Sequence, residues 1–105
     1  MGYRSEIYIK VSVKDEPELL ALLAKHELDE CFEKQLEDED YVGYYASHLK
    51  WYDRYPEVKA INDFIDTEDE TADIRGMIVI GEDGATEEYG QPWKIDMHVV
   101  SRVEW

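Results

Sequence analysis

Twenty-six carboxylates, three histidines and one cysteine are the side chains here with the chemistry for acid–base catalysis or metal binding. Glycoside hydrolysis needs two acids set about 5–10 Å apart across a cleft. With 26 acids in 105 residues, such pairs arise by chance, so carboxylate pairs single out no catalytic site. His26, His48 and His98 lie far apart, and no two have the spacing of ligands on one helix face. Cys31 is the single cysteine, so neither an intrachain disulfide nor a cysteine zinc cluster is expected. It falls on the apolar side of its segment, which predicts a buried, inert thiol. The acidic stretch from Asp66 to Asp73 lacks the glycine turn and spaced ligands of a calcium loop. Gly81, Gly84 and Gly90 read as turn glycines, outside any phosphate- or dinucleotide-binding fingerprint. The expectation is a non-enzymatic protein without catalytic residues, cofactor or metal.

Charge is the strongest remaining signal. Eleven Lys and Arg oppose the 26 acids, giving a formal net charge of −15. Duplex DNA carries one negative charge per about 1.7 Å of axis, so fifteen charges match about 25 Å of duplex. Like charges repel, which argues against direct binding to nucleic acid or to an anionic membrane and in favour of a basic partner. The same charge also serves solubility. A hydrophobic fraction of 44%, with eight Tyr, three Trp and two Phe, separates this chain from acidic disordered tails. The length predicts one domain over residues 1–105. No run of 18 apolar residues is present, and Met1 to Glu6 lacks the apolar core of a signal peptide, so a cytoplasmic protein is expected.

The elements that position these residues follow from apolar periodicity. Ile7, Ile9, Val11 and Val13 alternate with Glu6, Tyr8, Lys10 and Ser12, as in a half-buried strand. Asp15 opens a helix, with Glu18 at capping-box spacing, Pro17 in the first turn and Leu19, Leu20, Leu22 and Leu23 as its apolar residues. Leu28, Cys31, Phe32 and Leu36 fit one helical face, so residues 27–40 are expected to continue this helix or form a short second one. Glu37-Asp38-Glu39-Asp40 is expected to be a solvated loop. Tyr41 to Tyr52 reads as an aromatic strand, and residues 56–66 as a helix with the stripe Val58, Ile61, Phe64, Ile65. Ile74, Gly76, Ile78 and Ile80 share one face of the next strand, and Asp83-Gly84 marks a turn. Trp93, Ile95, Met97, Val99, Ser101, Val103 and Trp105 alternate with polar neighbours, which predicts a long final strand in the core sheet. The sum is an α+β two-layer sandwich: a mostly antiparallel sheet with two or three helices packed on one face.

The opening Met1-Gly2-Tyr3-Arg4-Ser5-Glu6, leading into an apolar strand, resembles a family of small acidic proteins of tailed bacteriophages. His48-Leu49-Lys50-Trp51-Tyr52, followed by Glu57-Val58 and Ile61, continues the likeness. The two motifs cover about a fifth of the chain. The resemblance implies a phage-encoded accessory protein working in the host cell, and it assigns no activity and no catalytic residue.

Together these features point to a binding protein that inhibits or modulates a basic host protein through acidic loops, by mimicry of nucleic-acid charge. Glu37, Asp38, Glu39 and Asp40 form one expected contact surface, with Tyr41, Tyr44 and Tyr45 beside it as anchors. Asp66, Glu68, Asp69, Glu70 and Asp73 form the other. The alternative is a small-ligand protein that sequesters a nucleotide. It would gather three or more of Arg4, Lys10, Lys50, Arg54, Arg75, Lys94 and Arg102 around one cavity. A third possibility is a structural protein, monomer or homodimer, that self-associates through its last strand.

Overall fold

β-Branched residues dominate the inward positions of the first strand, and that strand becomes the centre of the fold. The computed structural model describes residues 4–52, 54–66, 74–81, 84–95, 97–99 and 103–104, with the backbone alone at 48, 93, 98, 99, 103 and 104. A five-stranded antiparallel sheet contains β1 (Ser5–Ser12), β2 (Glu33–Glu37), β3 (Tyr41–Leu49), β4 (Gly76–Gly81) and β5 (Thr86–Gly90), in the order β2-β3-β1-β4-β5. Two helices, α1 (Glu16–Lys25) and α2 (Pro56–Ile65), pack on one face, so the fold is the α+β arrangement expected.

Strand alternation sorts the side chains between two clusters. Ile7, Ile9 and Val11 point to the helices and meet Leu19, Leu23, Val58, Ile61, Phe64 and Ile65. The opposite face is also covered. Tyr8 and Ile78 on that side pack against Ile95 and Met97, which cross the sheet after β5. The central strands are therefore buried on both faces: Tyr8 and Lys10 are buried as well as Ile7, Ile9 and Val11.

Five local expectations are corrected. Residues 27–40 do not continue the helix. Glu27 adopts φ 61°, its N–H reaches the Ala24 carbonyl (3.2 Å), and the Leu28 N–H reaches that of Leu23 (2.7 Å). These two bonds form a Schellman stop. The chain then supplies β2, an edge strand on β3 whose acids face water instead of crowding a helix. Cys31 lies in the intervening turn and is exposed, contrary to the buried thiol expected.

The long final strand is likewise absent. Pro92–Ile95 forms a single 3₁₀ turn, and β6 (His98–Val99) pairs with β7 (Val103–Glu104) in a separate two-stranded ribbon. The turn at Gly90 and Pro92 carries the chain across the back face, where the Lys10 Nζ donates to the Ile95 carbonyl at 2.6 Å. Residues 96, 100–102 and 105 of the expected strand lie outside the described residues. Val13, expected to face the core, sits instead in a 3₁₀ turn, Val13–Asp15, and is 39% exposed. Finally, Asp15 makes no side-chain capping bond to α1. Its carboxylate accepts from the Arg75 Nε at 3.1 Å, a charged partner that outcompetes the helix end.

Candidate functional site

The acidic run from Glu37 to Asp40 closes the β2–β3 hairpin. Asp38 organises it: one carboxylate oxygen accepts the N–H groups of Tyr41 (2.7 Å) and Asp40 (2.8 Å). Those two donors, Tyr41 first, hold the Asp38 carboxyl below its ordinary range. Glu37, Glu39 and Asp40 remain exposed. The Val13 N–H donates to the Asp40 carbonyl at 2.9 Å and fastens the hairpin tip to the end of β1.

Beside this clasp lies an open cleft of about 270 Å³ lined by Ser12, Val13, Lys14, Glu39, Asp40 and Tyr41. Ser12 is 6% exposed, and its Oγ, sealed from solvent, has no hydrogen-bond partner among the described residues. The cleft thus brings together the acids Glu39 and Asp40, the cation Lys14, Val13 and Tyr41. Lys10 holds its Nζ 5.2 Å from the centre of that ring. Of the expected contact residues, Glu39, Asp40 and Tyr41 line this cavity, while Glu37 and Asp38 stand beside it in the hairpin.

The other two tyrosines have different places. Tyr44 is buried, and its hydroxyl donates to Glu16 Oε2 at 2.6 Å. Tyr45 is half-buried against Tyr8, with ring centres 4.8 Å apart. Lys34 joins the first pair, its Nζ 2.8 Å from the same Glu16 oxygen. The bonds from Lys34 and then Tyr44 lower the Glu16 carboxyl from its usual value, and the bond to Glu16 raises Lys34. Burial first, then Glu16, pushes the Tyr44 phenol up to about 12, so it stays a donor at ordinary pH. A carboxyl lowered by folding adds stability above its unfolded value, about 4.3, and that stability is lost as pH falls through the folded value. Glu16→Gln is therefore expected to lower the thermal midpoint at pH 7, with the gap from the parent closing below about pH 4. Thermal melts across that range check this; a gap independent of pH would remove the charge from the account.

Of the second expected surface, Asp66 is described: it caps the end of α2 and accepts the Gly90 N–H. Glu68, Asp69, Glu70 and Asp73 lie outside the described residues. The cations proposed to gather round a ligand are dispersed. Lys10 is tied to the Ile95 carbonyl, Arg75 is held by Asp15, and Arg54 lies over Tyr52 and Tyr55 at 5.2 and 5.7 Å. Arg4, Lys50 and Lys94 are exposed, and Arg102 is outside the described residues. A smaller cavity, about 50 Å³, is lined by Ser5, Trp51, Val79, Gly81, Ala85 and Glu87, with no cation. Trp51, buried edge-on to Phe32 at 6.3 Å, belongs to the core. Among the described residues, no three His, Cys, Asp or Glu side chains converge on a metal-sized space.

Sequence reasoning found the acidic half of the cavity and missed Ser12, Val13 and Lys14. Their signal was weak: the alternation of β1 runs on through Val13, and only the charged Lys14-Asp15 hints that the strand stops first. No family model, curated protein or solved structure matches the chain. Among the described residues, no helix is long and apolar enough to cross a membrane.

Proposed function

We propose that this chain is a non-enzymatic, phage-encoded accessory protein that binds a basic host protein in the cytoplasm through the β2–β3 hairpin, presenting carboxylates in place of nucleic-acid phosphates. The observation that carries this reading is the hairpin tip itself. Exposed Glu37, Glu39 and Asp40 are held on a turn fixed by Asp38 and by the Val13–Asp40 clasp. Fixed carboxylates lose less freedom on binding than a flexible acidic loop does. The molecule measures 40 × 31 × 24 Å and carries fifteen net charges. A duplex 40 Å long carries about 24. The charge per length is thus a little under two-thirds of DNA's, enough to attract a basic groove.

The phage likeness at residues 1–6 and 48–52 supports the host setting. The dispersal of Lys10, Arg54 and Arg75 weighs against a nucleotide pocket. Both sheet edges carry acids, Glu33 and Glu37 on β2 and Glu87 and Glu88 on β5, which discourages self-association through strand pairing.

The test is affinity capture from bacterial lysate at about 0.15 M salt. The parent protein is compared with a variant in which Glu37, Glu39 and Asp40 become Gln, Gln and Asn. The expected result is a basic protein retained by the parent, lost by the variant and released by added duplex DNA. A partner that binds both forms equally and ignores DNA overturns the reading.

A further inference from the structure

We infer that the segment running from Pro92 through Ile95 to Met97 is a strap that lifts off the back face while the five-stranded sheet stays folded. The inference goes beyond the proposed function and does not depend on it. Backbone bonding is the first reason. β1 is paired with β3 on one side and β4 on the other. The strap begins where the Gln91 N–H meets the Arg75 carbonyl at 2.9 Å, and its own bonds are internal: the Lys94 N–H reaches the Gln91 carbonyl (3.0 Å) and the Met97 N–H the Pro92 carbonyl (3.1 Å). Among the described residues, no backbone bond beyond Gln91 joins the strap to the sheet. It can leave without breaking a strand ladder.

Packing is the second. Ile95 and Met97 bury with Tyr8 and Ile78 in a cluster apart from the main core, which lies under the helices and includes neither of them. Gly76 makes the seat. A Cβ there would lie 2.8 Å from the Pro92 Cα and 3.0 Å from Met97 Sδ, so the fully buried Pro92 rests on bare backbone.

Lys10 makes the closed form less secure than its burial suggests. Its side chain is buried, and its Nζ donates to the Ile95 carbonyl at 2.6 Å. Burial strips water from a charge, and lifting the strap returns that hydration. Tyr8, Tyr41 and Tyr45 on the same face carry hydroxyls, so the uncovered surface is partly polar. Both effects bring the cost of opening below that of unfolding, as in other units that open on their own. The open form presents Lys10 and these three rings beside the acidic hairpin, which Tyr41 adjoins.

The experiment follows two reporters in the full chain, each rate normalised to that of the urea-unfolded chain. One is hydrogen exchange of backbone amides by NMR. The other is acetylation of Lys10 by a pulse of acetyl N-hydroxysuccinimide ester, read by peptide mass spectrometry. The Met97 amide and the Lys10 amine are expected to open at least about tenfold more often than the amides of Ile7 and Ile9, and with a weaker dependence on added urea. Equal frequencies and equal urea dependence at all four would make the strap part of one cooperative unit and overturn the inference. Gly76→Ala pushes the strap off its seat. It is expected to bring Met97 exchange and Lys10 acetylation close to their unfolded rates while Ile7 and Ile9 stay protected. Ile95→Ala shortens an anchor without a collision and is expected to raise both strap rates roughly tenfold or more. If Gly76→Ala strips protection from Ile7 and Ile9 together with Met97, the strap does not open alone. If both variants leave the Met97 and Lys10 rates at the parent's values, the seat and the strap are wrong.

Discussion

Gly90→Ala is expected to destabilise the protein by on the order of 4 kcal/mol, whereas Gly84→Ala should cost about 1 kcal/mol. Both glycines have left-handed backbones, φ +70° at Gly90 and +83° at Gly84. The conformational penalty for alanine is thus similar, about 1–2 kcal/mol. Their surroundings differ. A Cβ at Gly84 meets nothing within 4 Å, while at Gly90 it collides with the Arg75 carbonyl oxygen and lies 3.0 Å from both Ile65 Cγ2 and the Ile65 carbonyl oxygen. The Arg75 carbonyl cannot swing away cheaply, because it accepts the Gln91 N–H at 2.9 Å. The Gly90 N–H meanwhile holds the Asp66 side chain at the end of α2. Thermal unfolding of the two variants separates backbone strain from collision. Gly90→Ala should melt about 20 °C below the parent and Gly84→Ala only about 5 °C. Equal losses would mean that α2 and the end of β5 are not in close contact.

What was readable in the sequence follows from which signals are local. β1, α1, β3, α2 and β4 were legible because each carries its own apolar period. Buried Ile7, Ile9 and Val11 or Val58, Ile61 and Phe64 report the period directly. β2 was not legible. Leu28, Phe32 and Leu36 keep helical spacing, yet Leu36 is half-buried on an edge strand whose pairing with β3 is a tertiary fact. The final strand failed for the opposite reason. Ile95 and Met97 do bury together, as their alternation suggested, but in a segment laid across the sheet rather than within it. The acidic half of the candidate cavity lay in a visible charge run. Its other half, Ser12 to Lys14, depended on where β1 stops, and strand ends are set by what the chain docks against.

Arg75→Met is expected to cost about 3–5 kcal/mol, because it strips a nearly buried guanidinium from three elements at once. Arg75 is 8% exposed. Its Nη1 donates to the Phe64 carbonyl at 2.6 Å, its Nε to Asp15 Oδ2 at 3.1 Å, and its Nη2 lies 3.7 Å from Glu18. The guanidinium also stacks 3.9 Å from the centre of the Phe64 ring. Methionine keeps much of the stem's volume, so the loss reflects the orphaned Asp15 carboxylate and Phe64 carbonyl more than a void. Arg75→Lys retains the charge without the planar fork and should lose about 1–2 kcal/mol. In an Asp15→Asn background the methionine variant should cost clearly less than it does alone, since the stranded carboxylate is gone. Denaturant unfolding of the four proteins measures this coupling; additive losses would place the energy in packing. The same contact reaches the candidate site. Asp15 ends the 3₁₀ turn whose Val13 and Lys14 line the cavity, so Arg75 braces that wall from beneath. Arg75→Lys, still folded, is therefore expected to speed hydrogen exchange at the Val13 amide, which donates to the Asp40 carbonyl. Unchanged exchange in that variant would show that the wall is set by the Val13–Asp40 clasp alone.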